Sequence, residues 1–251
     1  MEYIYHDLNI FYEQVGEGDP VILLHGWGTN HHTFNALSKL LKSKYKVYNL
    51  DLPGFGNSKE PTQPFNVSNY VTILKSFIKD LNIENPIIFG HSFGGRIAIK
   101  YAGEGNSINK LVLIDSAGIR PRQTILTKLK IMRYKFLKYF YKKTKNINKY
   151  NQLISVSGSR DYQAATPIMK GTLSLVIRED LKKYLSKINC ETLIIWGKDD
   201  HETPYKDGIK MNQLIKNSGL VTFDNTGHFP YLEKKQSFLL VIAKYLEVEK
   251  T

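Results

Sequence analysis

Apolar residues along this chain fall into two kinds of run. Val21-Ile22-Leu23-Leu24 is uninterrupted over a strand's length, as a strand buried on both faces of a sheet must be. Lys46–Leu50, Pro86–Phe89, Lys110–Ile114, Thr192–Trp196 and Leu220–Phe223 are of the same kind. Tyr3–Val15 alternates loosely instead and predicts a hairpin at the sheet edge. Between these runs the period lengthens. Asn66–Leu81 carries Val67, Tyr70, Ile73, Leu74, Phe77, Ile78 and Leu81 at three- and four-residue spacing, which predicts a helix. Thr203-Pro204 predicts an N-cap with proline at the first helical position, opening a helix toward Ile215. Phe229–Tyr245 predicts one last helix. Strand and helix patterns in alternation predict βα units and a parallel sheet.

The alternation stops between about Ala117 and Lys187, where helical patterns continue without a buried strand. The expected organisation is a core of residues 1–116 and 188–251 with a helical insertion over 117–187. From Arg122 to Tyr141, Ile125, Leu126, Leu129, Met132, Phe136, Tyr139 and Phe140 recur at helical spacing. Lys128, Lys130, Arg133, Lys135, Lys138, Lys142 and Lys143 fill in around them. The expectation is a helix with its apolar face on the core and its lysines in solvent. Later in the insertion, Met169, Leu173, Val176 and Ile177 are expected to pack it onto the core, with pocket lining as the alternative.

Charge sharpens this picture. The net charge is +12, yet residues 116–160 hold 12 Lys or Arg and no Asp or Glu. Removing those 12 from the 35 basic residues leaves 23, equal to the 23 acidic residues of the whole chain. The charge therefore belongs to one segment. Two sharper readings of it stay open: attraction of an acidic substrate to a pocket mouth, or contact with an anionic membrane surface. Nucleic acid is not an expected partner, because no reading motif is present and the rest of the chain is formally neutral. Oligomeric state stays open.

Composition sets outer bounds. No apolar run approaches the roughly 20 residues that span a bilayer. The start, Met1-Glu2-Tyr3-Ile4-Tyr5-His6-Asp7, has no basic stretch followed by an apolar one, so no secretory leader is expected. The single cysteine, Cys190, excludes an internal disulfide and fits a reducing cytoplasm. It precedes an apolar run and reads as a small buried thiol, with a nucleophile as the alternative.

One motif carries chemistry. Pro86-Ile87-Ile88-Phe89 feeds into Gly90-His91-Ser92-Phe93-Gly94-Gly95 and then into the helical pattern Arg96–Ala102. Strand, tight turn and helix are the context that G-x-S-x-G requires. Small residues on either side let the turn hold Ser92 in a strained conformation with its hydroxyl clear of the sheet. A serine hydroxyl needs a base, and the base an orienting acid. Of the seven histidines, His228 lies in a loop directly after a strand, at the edge where open sheets bind ligands. Asp199, Asp200 and Glu202 follow another strand and are the candidate acids. His25, His31 and His32 lack the spacing of a metal site.

These pieces together resemble the capped α/β-hydrolases. The resemblance rests on Leu24-His25-Gly26-Trp27-Gly28, Asp51-Leu52-Pro53-Gly54-Phe55-Gly56-Asn57-Ser58, the Ser92 turn, Gly197-x-x-Asp200-x-x-x-Pro204 and Gly227-His228. It covers about residues 3–117 and from 190 onward. It implies a mostly parallel eight-stranded sheet flanked by helices, with a helical cap. It implies a catalytic triad of Ser92, Asp200 and His228, with Asp199 and Asp115 as rival acids. It also implies an oxyanion hole from the backbone N–H groups of Trp27 and Phe93. The implied reaction is hydrolysis of a small-molecule acyl substrate, a carboxylic ester first, without metal or organic cofactor. A C–C bond hydrolase, amidase, thioesterase or small-molecule sensor of the same fold are the alternatives. Serine at the nucleophile position departs from the haloalkane dehalogenases and epoxide hydrolases, which carry aspartate there.

Overall fold

The computed structural model describes residues 1–120, 125–155 and 159–249, with backbone only at 125–128, 130, 154 and 155. Its elements run β1 (Glu2–Tyr5), β2 (Leu8–Val15), β3 (Asp19–Leu24), α1 (Asn35–Leu41), β4 (Tyr45–Leu50), α2 (Val67–Asp80), β5 (Ile87–His91), α3 (Phe93–Gly103) and β6 (Lys110–Ile114). Five helices follow: α4 (Ile125–Lys143), α5 (Ile147–Ser155), α6 (Arg160–Ala164), α7 (Pro167–Val176) and α8 (Lys182–Leu185). The chain closes with β7 (Glu191–Gly197), α9 (Tyr205–Leu214), β8 (Ser218–Phe223), α10 (Pro230–Glu233) and α11 (Lys235–Leu246).

All eight strands join one sheet in the order β1-β2-β4-β3-β5-β6-β7-β8. β1, β2 and β4 pair antiparallel, and from β4 to β8 every pairing is parallel. The continuous apolar runs are explained by burial on both faces. In β3, Ile22 and Leu24 join the core on one side of the sheet, and Val21 and Leu23 join the core on the other. Alternate residues point to opposite faces, so a strand covered twice needs apolar side chains throughout.

Helix α2 begins with a capping box, in which the side chain of Asn66 accepts from the Asn69 N–H and Asn69 reciprocates. Its stripe of Tyr70, Ile73, Leu74 and Phe77 is buried against the sheet. Two helix expectations are corrected. Thr203 does not cap α9: Pro204 occupies the cap position with extended backbone, and the Thr203 hydroxyl is committed elsewhere. The last helix is broken at Lys234, whose φ of −124° and ψ of 43° separate α10 from α11. The break lets the Glu233 carboxylate turn back and accept from the N–H groups of Gly227 and Phe229, at 2.8 and 3.1 Å. A short connection of a 3-10 turn (His31–Phe34) and α1, which the periodicity did not announce, completes the β3–β4 crossover.

Helices α4 to α8 lie between β6 and β7, and the described residues of that connection include no strand. Its second half is tied to the core. The Thr166 hydroxyl donates to Glu60, and the half-buried Phe65 N–H donates to Thr172 Oγ at 3.0 Å. Arg96 donates to the Glu179 carbonyl, and Lys100 pairs with the Glu179 carboxylate. Met169 is buried under Gly54, whose φ of +88° and missing side chain make room for the thioether. In the first half, α4 packs chiefly against α5. The expected burial of its apolar stripe is corrected, since Leu129, Met132, Phe136, Tyr139 and Phe140 are all exposed. Ile125, Leu126, Lys128 and Lys130 have no described side chains, and Arg122 lies outside the described residues. Among the described residues, no helix is long and apolar enough to cross a membrane.

Thr172 is fully buried, so its loss strands a backbone donor. Thr172→Val is expected to lower unfolding stability by about 1–3 kcal/mol in urea titrations. An unchanged midpoint would mean that the Phe65 N–H bond does not hold the insertion to the core.

Candidate active site

Three parallel strands, β3, β5 and β6, deliver their carboxyl ends to one place. Ser92, directly after β5, has φ 49° and ψ −107°, a conformation that side-chain-bearing residues adopt only under strain. The surroundings enforce it. Ser92 N–H donates to the Ile114 carbonyl at 3.1 Å, and the Ser92 carbonyl accepts from Ala117 at 3.0 Å. Gly94 N–H donates to the His25 carbonyl at 3.1 Å, and any side chain on Gly94 would collide with the Leu24 carbonyl. Glycine two residues after the serine is therefore a requirement of backbone proximity.

His228 lies after β8, and its Nδ1 is 2.8 Å from Asp200 Oδ2. Asp200 follows β7 and is itself held: its Oδ1 accepts from the N–H groups of Glu202 and Thr203, at 2.7 and 3.0 Å. The Thr203 hydroxyl lies 2.6 Å from Asp200 Oδ2 and 2.9 Å from the Asp115 carbonyl. Burial opposes the Asp200 charge, but the bonds from His228 and Thr203 outweigh it and hold the carboxyl below its ordinary value. Asp199, the neighbouring candidate, is exposed and makes no contact with the ring. No hydrogen bond joins Ser92 Oγ to His228, although both line the same cavity. Such bonds are commonly long before substrate binds.

That cavity has a volume of about 370 Å³. Trp27 and Phe93 line it, and among the described residues neither of their backbone N–H groups has a hydrogen-bond partner. Ile119, Leu173, Val176 and Ile177 form its apolar wall, so three of the four insertion residues singled out in the sequence reach the pocket while Met169 packs beneath it. Its charged groups are Asp161, Glu202, Asp207 and Arg96. Three carboxylates face one guanidinium, which is already bonded to Glu179. The pocket is thus formally negative inside a basic protein. Asp161, Asp207 and Arg96 carry no motif and are found only from the folded arrangement.

Asp115, the more distant rival acid, points to the same floor. Its Oδ1 accepts from Gly197 N–H at 2.9 Å, and its buried Oδ2 has no hydrogen-bond partner. Ligand atoms of Asp115, Asp200 and His228 lie within 4.8 Å of one another. Among the described residues this is the only trio of histidine, cysteine and acidic side chains so close, and His25, His31 and His32 form none. Burial pushes Asp115 up to about 9, and the adjacent Asp200 charge adds to it. At neutral pH Asp115 is therefore protonated while Asp200 is ionised, and the ring bonds to the ionised one.

The residues least visible in the sequence are those that fix the His228 loop. His91 Nε2 donates to the His228 carbonyl at 2.8 Å, and its Nδ1 accepts from the Tyr231 hydroxyl at 3.1 Å. The carbonyl can only accept, which fixes the tautomer. Burial, with the neighbouring His228 ring, lowers His91 to about 3. His25 is similarly buried, lowered to about 4, with Nε2 accepting from the Leu52 N–H at 2.9 Å. Cys190 is half-buried against the core, and burial pushes its thiol up, the opposite of an activated nucleophile.

A family model described as alpha/beta hydrolase fold matches residues 19–157, a little over half of the chain. The chain belongs to the α/β-hydrolase family. A second model, described as TAP-like protein, matches residues 177–251 of this hydrolase. It is 29% identical to YisY, an AB hydrolase superfamily protein of Bacillus subtilis (strain 168), over 95% of each chain. It is 27% identical to a pimeloyl-(acyl-carrier protein) methyl ester esterase of Pseudoalteromonas atlantica, covering 90% of this chain and 93% of that one. An esterase structure from Exiguobacterium antarcticum superimposes with a TM-score of 0.73 at 26% identity, covering 96% of each chain.

Two pH effects follow. His25 and His91 resist protonation when folded, while the unfolded chain takes up protons near 6.5. Their folded values are depressed, so the stability they contribute is present above pH 6.5 and lost as pH falls toward 4. Chemical denaturation at pH 7 and pH 5 should show the loss, and His91→Gln should make it shallower. Asp115 has the opposite sign. Its folded value is raised from 3.8 to about 9, so wild type loses stability as pH rises through that window. Asp115→Asn should be more stable than wild type, with a gap that widens from pH 5 to pH 9 in thermal scans. A variant less stable at every pH would show that the carboxyl is needed in place.

Proposed function

We propose that this α/β-hydrolase is a serine esterase of small, uncharged carboxylic esters. The observation that carries the reading is the His228–Asp200 bond of 2.8 Å, made at the rim of the cavity that Ser92 lines. In the proposed reaction Ser92 Oγ attacks the ester carbonyl while His228 takes its proton. Asp200 fixes the tautomer that leaves Nε2 free to accept, and stabilises the imidazolium. The unpartnered N–H groups of Trp27 and Phe93 receive the oxyanion, each worth on the order of 3 kcal/mol in the transition state. His228 then protonates the leaving alkoxide, and water with the same ring as base releases the acid. Asp115 is left out of this scheme, since it is protonated and the ring bonds to its neighbour.

The substrate class follows from the wall. Leu173, Val176 and Ile177 suit an apolar acyl chain, and a cavity of about 370 Å³ suits a short one. Asp161, Glu202 and Asp207 oppose a free carboxylate on the substrate. This argues against the basic segment serving to collect acidic substrates. The esterase relatives are consistent with ester hydrolysis.

Ser92→Ala should keep the fold and lower turnover of p-nitrophenyl butyrate by a factor on the order of 10⁴ or more. A p-nitrophenyl hemisuccinate should give a kcat/KM about tenfold or more below that of the butyrate, a difference of roughly 1.4 kcal/mol. Wild-type protein that neither turns over the ester series nor reacts with a fluorophosphonate would refute the proposal.

A further inference from the structure

Helix α4 is the longest among the described residues, at 19 residues, and it is packed on only part of its circumference. Leu129, Met132, Phe136, Tyr139 and Phe140 recur at three- and four-residue spacing and so share one stripe. They are 50, 59, 65, 65 and 47% exposed. The rings of Phe136 and Phe140 stack at 6.2 Å, which makes the stripe continuous. Tyr134, Leu137 and Tyr141 are half-buried and lie on a different stripe, so the helix already has a packing face elsewhere. Arg133, Lys135 and Lys142 are exposed beside the apolar stripe, with Lys138 further round the helix, and no acidic residue occurs between 116 and 160.

An exposed apolar patch with a polar rim marks a surface that is covered in use. The charge selects among covers. A second copy of this face would bring lysines against lysines with no carboxylate to receive them. A nucleic acid would satisfy the lysines and leave five apolar side chains in water. An anionic bilayer satisfies both, since its lipid phosphates take the ammonium groups while apolar side chains enter the boundary beneath the headgroups. We infer that α4 is a membrane-surface helix that seats the Leu129–Phe140 stripe on anionic lipid. The inference is independent of the reaction at Ser92, because it uses none of the residues around the cavity.

The test is flotation of the full chain with vesicles of phosphatidylcholine alone, or with one-third phosphatidylglycerol, at low and high salt. Wild type should float with the anionic vesicles at low salt, far less at high salt, and not with the neutral ones. Lys135→Glu/Lys138→Glu/Lys142→Glu should lose about tenfold or more in partitioning. Met132→Ser/Phe136→Ser/Phe140→Ser should lose as much, and both variants alter only exposed positions. Phe136→Trp, a milder change, should shift its emission to the blue on anionic vesicles. The inference fails if wild type does not bind anionic vesicles at low salt, or if the serine variant binds as well as wild type. It also fails if wild type sediments as a dimer that the serine variant abolishes, since the stripe is then an interface between copies.

Discussion

The molecule is organised around backbone crowding at the carboxyl end of β5. The turn there is so close to β3 that no side chain fits at Gly94, and the cost of holding Ser92 at φ 49° is on the order of 1–3 kcal/mol. That cost is met by bonds to both neighbouring strands: Ser92 N–H to Ile114, Ala117 N–H to Ser92, Gly94 N–H to His25. The same turn reaches further through His91, which holds the carbonyl of His228 more than 130 residues later, a separation of 137 positions. One turn thus sets Ser92, the free amide of Phe93 and the loop that carries His228.

Around this turn, buried ionisable groups are each held in a single protonation state. His25 and His91 are neutral, Asp115 is protonated, and Asp200 is charged. Two carboxyls on one floor would repel if both ionised, and burial resolves the conflict by protonating the one without a cationic or donor-rich neighbour. Asp200 keeps its charge because backbone N–H groups of its own loop, the Thr203 hydroxyl and the His228 ring all donate to it. The result is a single anion facing the imidazole.

Much of this was legible in the sequence because it follows from strand ends. Continuous runs such as Val21–Leu24 located the parallel strands, and the turn after Phe89 and the loops after Trp196 and Phe223 then had to meet at one edge. What was not legible depends on contacts between distant segments. His91 was one of seven histidines until Tyr231 and the His228 carbonyl met it. Thr203 looked like a helix cap because Thr-Pro usually is one, and the pull of Asp200 overrode that local preference. Met169 and Leu173 read alike in sequence, and only the hole left by Gly54 separates them into packing and pocket. Periodicity in α4 gave an amphipathic helix but is silent on whether a partner covers its apolar side.

The uneven attachment of the helices between β6 and β7 has a consequence for descent. The part from α6 to Ile177 walls the cavity, and this half of the insertion is bonded to the core through Thr166, Thr172 and Glu179. The α4–α5 hairpin rests chiefly on itself. Selection can therefore rewrite the two at different rates. On the membrane-surface reading of α4, a lineage that keeps the wall and exchanges the hairpin would alter where the protein docks and leave the pocket as it is, and drift in the wall would do the reverse.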